Sequence, residues 1–228
     1  MKSIWLVGTG NMGLEYVKVL KDINISFTVI GRGEKSAKAF ADASGVTPIT
    51  GGIDNFVSGN PDTATHAIIA TGIGQLKESC LAVIKYGVKN ILLEKPGGRD
   101  VAELEEIYRE ADVRGAKVYI AYNRRFYSSL LEAEKYIKED DGITSLNFEF
   151  TEWGHFIEKL DNPNKDIWFF ANSTHVVDMA FFLGGFPVEL SAFAKGETSW
   201  HRPLVFAGSG ITQNNSLFSY CANWEAPV

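Results

Sequence analysis

The sequence places Gly8-Thr9-Gly10-Asn11-Met12-Gly13 directly after a short apolar run from Ile4 to Val7. This is the pattern GxGxxG, and the chemistry it suits is the binding of a pyrophosphate. Gly8 permits a tight turn, Gly10 lets the backbone approach the phosphates, and Gly13 lets a helix pack closely on a strand. A helix opening at Asn11 and Met12 adds free N–H groups and a positive dipole end, both favourable to an anion. The pattern alone is weak, and a bare glycine-rich turn is the alternative. Its position between a strand signal and a helix signal makes it informative. An NAD site usually carries Asp or Glu at the end of the second strand, where it bonds the ribose 2′-hydroxyl. Here the corresponding residues are Val29-Ile30-Gly31-Arg32-Gly33, with no acid between Asp22 and Glu34. A guanidinium at Arg32, assisted by Lys35 and Ser36, can grip a 2′-phosphate. The reading is therefore NADP, with NAD as the alternative. Arg32 as a solvated loop charge is the competing account.

The elements that must position these residues alternate over the first 120 or so positions. Apolar runs at Ile4–Val7, Phe27–Ile30, His66–Ala70, Ile91–Leu93 and Val118–Ile120 read as strands. Helical stripes lie between them, including Leu76, Cys80, Val83 and Ile84, with Gly87 as a stop. Asp100 and Glu103 form a capping box before Leu104, Ile107 and Tyr108. Continuous apolar strands separated by helices predict a parallel sheet covered on both faces. After Tyr122 the pattern changes. Residues 128–139 suit a helix, and longer strand-like runs follow at 143–151, 188–195 and 216–224, with a helix at about 173–183. Alternation such as Phe218, Tyr220, Ala222 and Trp224 predicts a mostly antiparallel sheet with one buried face. The expected organisation is a dinucleotide-binding domain over 1–121 and a substrate domain over 122–228.

Glu94-Lys95-Pro96 follows the strand at Ile91–Leu93, and Asn123-Arg124-Arg125-Phe126 follows the strand at Val118–Ile120. His175 and Asp178 lie on the helix that ends Phe182-Leu183-Gly184-Gly185. With the glycine pattern, this ordered set resembles the Gfo/Idh/MocA family of oxidoreductases, from residue 3 to about residue 195. The resemblance implies an α/β protein in which a Rossmann domain precedes an α/β domain with an open, largely antiparallel sheet. It implies hydride transfer between NAD(P) and a sugar-like or polyhydroxylated alcohol or carbonyl, and a homo-oligomer formed through the second-domain sheet. It carries Lys95 over as the catalytic lysine of the EKP motif, with Glu94 beside the cofactor. His175 is carried over as a residue that contacts substrate, while Asn123, Arg125 and Asn172 shape the substrate side. Pro96 is a candidate for a cis bond, and Asp178 either orients His175 or caps a neighbour.

Two departures qualify the resemblance. The family commonly has Asp four residues before the histidine, in the pattern DxGxH. This chain has Ala171-Asn172-Ser173-Thr174-His175. Ala171 has no proton to exchange, and Asn172 is no acid–base group at neutral pH. A non-catalytic dinucleotide sensor or docking protein of the same fold is therefore the second reading. The other departure is length. The sequence stops at Val228 just after a strand signal, so the second domain is expected to be incomplete at its C-terminus.

The 228 residues are 45% hydrophobic, with a formal charge of −6. An acidic chain repels phosphate backbones, so nucleic acid is not expected as a partner, and a small molecule is. No apolar run reaches a membrane-spanning length, and the run before Gly8 is too short for a signal-peptide core. The expectation is a cytoplasmic protein. Cys80 and Cys221 have neither CxxC nor zinc-ligand spacing and are expected as two buried thiols, and no metal is expected. His155 and His201 are assigned no function. Trp153, Trp168 and Phe169 are read as core more readily than as sugar-stacking rings.

Overall fold

A computed structural model describes residues 3–226. They form two compact units that divide between Ala121 and Tyr122.

The first unit carries β1 (Ser3–Val7), α1 (Asn11–Asp22), β2 (Ser26–Ile30), α2 (Glu34–Ser44), α3 (Gly52–Ser58), β3 (His66–Ile69), α4 (Leu76–Tyr86), β4 (Asn90–Leu93), α5 (Val101–Arg114) and β5 (Lys117–Ile120). All five strands are parallel, in the order β2-β1-β3-β4-β5. The apolar runs form the sheet because both its faces are covered. Trp5, Val7, Ile69, Ile91 and Leu93 pack with Leu76, Cys80, Val83 and Ile84 of α4 in one cluster. Leu6, Val29 and Ile68 pack with Val17, Leu20 and Phe40 from α1 and α2 in another. α4 stops at Gly87 and α5 at Gly115, both in the left-handed conformation. The Asp100 carboxylate accepts the Glu103 N–H at 2.9 Å, while Glu103 reaches back to the Arg99 N–H at 2.7 Å. This order reverses between β1 and β3, and ligands of open parallel sheets bind outside the strand ends at such a reversal.

The second unit carries α6 (Ser128–Glu139), β6 (Ser145–Glu149), α7 (Gly154–Ile157), α8 (Thr174–Gly184), β7 (Pro187–Lys195), β8 (Val205–Thr212) and β9 (Leu217–Asn223). Its sheet runs β6-β9-β8-β7, with β6 parallel to β9 and the other pairs antiparallel. It is thus the open, mostly antiparallel sheet that the family resemblance implies. An aromatic core of Phe150, Trp224, Phe148, Phe169, Phe206 and Tyr220 holds it together. Sequence patterning overlooked β8 because Gly208 and Gly210 weaken its strand signal. In the fold Tyr220 and Phe218 stand opposite those glycines, where their rings cover the bare backbone. The helix read at 173–183 is α8, but a π-helical turn at Phe169–Ser173 precedes it.

The cysteines are a correction. Cys80 is fully buried, and burial pushes its thiol up to about 12. Cys221 is exposed, because it lies on the outward face of β9, opposite in pleat to Phe218, Tyr220 and Ala222. Among the described residues no helix is long and apolar enough to cross a membrane.

Candidate functional site

A cleft of about 370 Å³ opens at the C-terminal edge of the parallel sheet. Its walls come from the ends of three strands. Gly8, Thr9 and Gly10 follow β1. Gly31, Arg32 and Ser36 follow β2, and Thr71 and Gly72 follow β3. The sequence-predicted Gly8, Gly10, Arg32 and Ser36 are thereby brought together.

Each glycine of the motif has a different reason. Gly8 has φ +126°, and a Cβ there would overlap the Ala70 carbonyl. Gly13 is buried where a Cβ would overlap the Gly8 carbonyl, so α1 can sit against the turn. A Cβ on Gly10 would meet nothing within 4 Å, so its bare backbone faces open space. The ladder of α1 begins with Leu14 N–H donating to the Gly10 carbonyl at 3.1 Å. The N–H groups of Asn11, Met12 and Gly13 precede that bond and lie outside the ladder, as donors for an anion. The Asn11 and Met12 side chains are exposed and do not line the cleft.

The end of β2 explains its missing acid. A Cβ on Gly31 would stand 2.7 Å from the Thr9 methyl group, so a side chain there requires Thr9 to move. Arg32 is exposed and, among the described residues, is the one basic side chain on the cleft lining. Ser36 Oγ donates to the Gly33 carbonyl at 2.9 Å and lies 3.3 Å from Thr9 Oγ1. Asp54 and Glu78 also line the cleft. Sequence reading missed both, as well as Thr71. Thr71 Oγ1 is buried without a hydrogen-bond partner. Its place after the apolar run His66–Ala70 was the available signal, since such strand ends form the crevice. Open space over Gly10 and an orphaned Thr71 hydroxyl both fit an absent polar ligand along this edge.

The other predicted residues lie elsewhere in their own units. Glu94 is buried and accepts the Tyr16 hydroxyl at 2.6 Å, so it is tied to α1 and is not on the cleft wall. Burial, reinforced by that carboxylate, holds the Tyr16 phenol well above its usual range. Lys95 is half-buried, and its bond to Pro96 is cis.

In the second unit His175 is buried at the start of α8, with the Tyr122 ring edge-on at 5.8 Å. Burial raises the Tyr122 phenol, so it stays neutral near pH 7. Arg125 pairs with Asp178 and lies over the Phe182 ring at 5.1 Å. Asn123 is exposed on a short turn beside it. Asn172 donates through Nδ2 to Glu152 Oε1 at 2.8 Å, and Ser173 Oγ donates to the same oxygen at 2.7 Å. Glu152 was not a predicted site residue. It lies 20 positions from Asn172 in sequence, and nothing local in the chain connects them. Among the described residues no group of three or more His, Cys, Asp or Glu side chains is placed to hold a metal.

The chain is 24% identical over 200 residues to the scyllo-inositol 2-dehydrogenase (NADP(+)) IolW of Bacillus subtilis strain 168, covering 83% of this chain and 54% of that protein. It thus spans about half the length of that relative. The WlbA dehydrogenase of Bordetella pertussis, solved with NADH and UDP-GlcNAcA, superposes with a TM-score of 0.77 at 15% identity, over 99% of this chain and 73% of that one. A levoglucosan dehydrogenase solved with NADH and levoglucosan gives 0.76 at 20% identity, over 99% and 67%. The model of the GFO_IDH_MocA oxidoreductase family, with its NAD-binding Rossmann fold, matches residues 2–122, more than half of the sequence. The chain belongs to the Gfo/Idh/MocA oxidoreductase family.

Proposed function

We propose that this chain is an NAD(P)-dependent oxidoreductase that prefers NADP and acts on a sugar-like or polyhydroxylated alcohol or carbonyl. The observation that carries this reading is the cleft at the β1/β3 reversal, with bare backbone at Gly10, an orphaned hydroxyl at Thr71 and Arg32 in place of an acid. Gly8, Gly10 and Gly13, with the N–H groups of Asn11 and Met12, would hold the pyrophosphate. Arg32 and Ser36 would hold the 2′-phosphate. Bound nicotinamide would supply the hydride acceptor or donor. Lys95 exchanges the proton of the reacting oxygen, and His175 hydrogen-bonds the substrate. Glu94 supports the cofactor only indirectly, through its bond to Tyr16 on α1. The first unit is the cofactor domain, and the second supplies substrate contacts from His175 and its neighbours, with Arg125 and Asn172 positioning the segments around them.

The NADP-linked inositol dehydrogenase and the levoglucosan dehydrogenase among its relatives support a polyol or sugar. The β7 edge strand is exposed along its whole length, including Val188, Leu190 and Phe193. That supports a homo-oligomer formed through this sheet. Two free thiols suit a reducing, cytoplasmic setting.

One observation favours a second reading. Ala171 offers no acid–base group, which suits a dinucleotide sensor without turnover. Fluorescence titration with NADPH and NADH, followed by a polyol and sugar panel with NADP⁺, separates the two. Cofactor binding with turnover supports the enzyme. Binding with no turnover of any compound supports the sensor, and absence of binding rejects both.

A further inference from the structure

We propose that Glu152 supplies a substrate-binding carboxylate to the segment around position 171, where the family acid is absent, and that it selects neutral polyhydroxylated substrates. This rests on the functional reading above.

The placement is built from the strand upward. β6 continues into Phe150, which is only 5% exposed and anchors the chain in the aromatic core. Thr151 and Glu152 follow before α7 begins at Gly154. Glu152 is half-buried, and its Oε1 accepts from Asn172 Nδ2 at 2.8 Å and Ser173 Oγ at 2.7 Å. Those donors immediately follow Ala171, in the segment where the family pattern carries its acid. The chain thus returns a carboxylate to that segment from a different element. Ser173 is 1% exposed, so its hydroxyl is committed to Glu152 and fixes the orientation of the carboxylate.

The charge is what points to a ligand. An ionised carboxylate has about four lone-pair sites on its two oxygens. Both bonds here fall on Oε1, and Oε2 takes none among the described residues. Both donors are neutral, and among the described residues no Lys, Arg or His forms an ion pair with Glu152. The negative charge is held but not cancelled. Such a group accepts from hydroxyls and repels a carboxylate or phosphate brought near it. A neutral polyol or sugar fits it, and an acidic sugar does not.

Glu152→Gln tests this on the full chain. The Gln amide oxygen can still accept from Asn172 and Ser173, so the variant removes charge and keeps the local bonds. Four quantities are compared with the parent: thermal midpoint, NADPH affinity, scyllo-inositol and levoglucosan binding by saturation-transfer NMR, and KM with NADP⁺. The expected result is an unchanged midpoint and NADPH affinity with polyol KM and Kd raised about tenfold or more. Ala171→Asp in the Glu152→Gln background should recover part of that loss. Equal polyol affinity in parent and variant overturns the inference and leaves the functional reading standing. A midpoint that falls in step with the lost affinity also overturns it, by assigning Glu152 to the fold. A parent that binds NADPH but neither binds nor oxidises a polyol overturns the functional reading, and this inference with it.

Discussion

Arg125 engages Asp178 with both arms of its guanidinium: Nε donates to Oδ2 at 2.8 Å, and Nη2 donates to Oδ1. The pair links the turn after Tyr122 to α8, with Phe182 packed under the guanidinium. Asp178 lies one helical turn after His175, yet its carboxylate is committed to Arg125 and both its oxygens are used. Its side chain is 10% exposed, so the pair is mostly out of water and contributes more than a surface pair. Asp178→Asn should lower stability by about 1.5–3 kcal/mol in chemical denaturation, while NADPH affinity holds. Arg125→Lys should not substitute for Arg, because an ammonium cannot span both carboxylate oxygens. A fully stable Asp178→Asn variant would count against the pair as a fold element.

Gly8 and Gly10 should respond to alanine in opposite ways. Gly8→Ala places a Cβ at φ +126° and into the Ala70 carbonyl. The backbone conformation alone costs about 1–3 kcal/mol, so the thermal midpoint should fall. Gly10 has extended backbone and open space around it. Gly10→Ala should change stability by less than about 1 kcal/mol and yet abolish NADPH binding, because its methyl group occupies the phosphate approach. Retained NADPH affinity in Gly10→Ala would remove the pyrophosphate from this turn.

Arg32 should set the choice between cofactors. It is the basic side chain on the cleft lining, and Gly31 carries no ribose-binding acid. Arg32→Ala should weaken NADPH by about 1.5–3 kcal/mol, roughly 10- to 150-fold, and NADH far less. Asp54 lies on the same lining. Parental NADH binding equal to or tighter than NADPH binding would shift the assignment from Arg32 and the 2′-phosphate to Asp54 and a ribose hydroxyl.

His201 makes acid stability testable. Burial holds its imidazole below the ordinary histidine range, against the opposing pull of the Pro203 carbonyl. Its Nδ1 pairs with Pro203 O at 2.9 Å, and its Nε2 accepts the Phe169 N–H at 3.5 Å, so the neutral Nδ1–H tautomer fits. With the folded pKa depressed, the unfolded chain takes up the proton first. Stability is full above about pH 6.5 and is lost as the pH falls through the folded value. Thermal midpoints across pH 5–8 should show this slope in the parent and a flatter one in His201→Gln. Parallel slopes would assign the acid sensitivity to other groups.

The parallel half was readable because its strands are buried on both faces, so Ile4–Val7 and His66–Ala70 are continuous apolar runs. The second sheet was harder. β7 was still legible at 188–195 although it is exposed throughout, but β8 is diluted by Gly208 and Gly210 and left no strong period. The glycine pattern disclosed Gly8, Gly10 and Gly13 through spacing alone. Glu152 left no trace, because its partners lie 20 and 21 residues away and meet it only through tertiary packing. Asp178 was read as orienting His175 or capping a neighbour, and its pairing with Arg125, 53 positions away, left no local signal.

Lys95 should be the group that exchanges the proton. The reacting oxygen needs a proton partner as hydride moves to or from the nicotinamide. Ala171 has none to offer. Asn172 is not titratable near neutral pH, and its Nδ2 is held by Glu152. Asp178 is bound at both oxygens by Arg125, and the Tyr122 phenol, raised by burial, stays protonated. Glu152 is assigned above to substrate binding. Lys95 and His175 are then the remaining titratable groups that the family resemblance assigns to the chemistry. A positioned acid–base group contributes about 10²–10⁴-fold in rate. Lys95→Ala should lose kcat on that scale while NADPH affinity is retained. Lys95→Arg should not restore it, because a guanidinium keeps its charge but does not give up its proton. His175→Ala should act chiefly on polyol KM. If Lys95→Arg turns over a polyol at the parent rate, Lys95 contributes charge rather than a proton, and His175 becomes the acid–base group. In that case kcat in His175→Ala, not KM, should show the 10²-fold or larger loss.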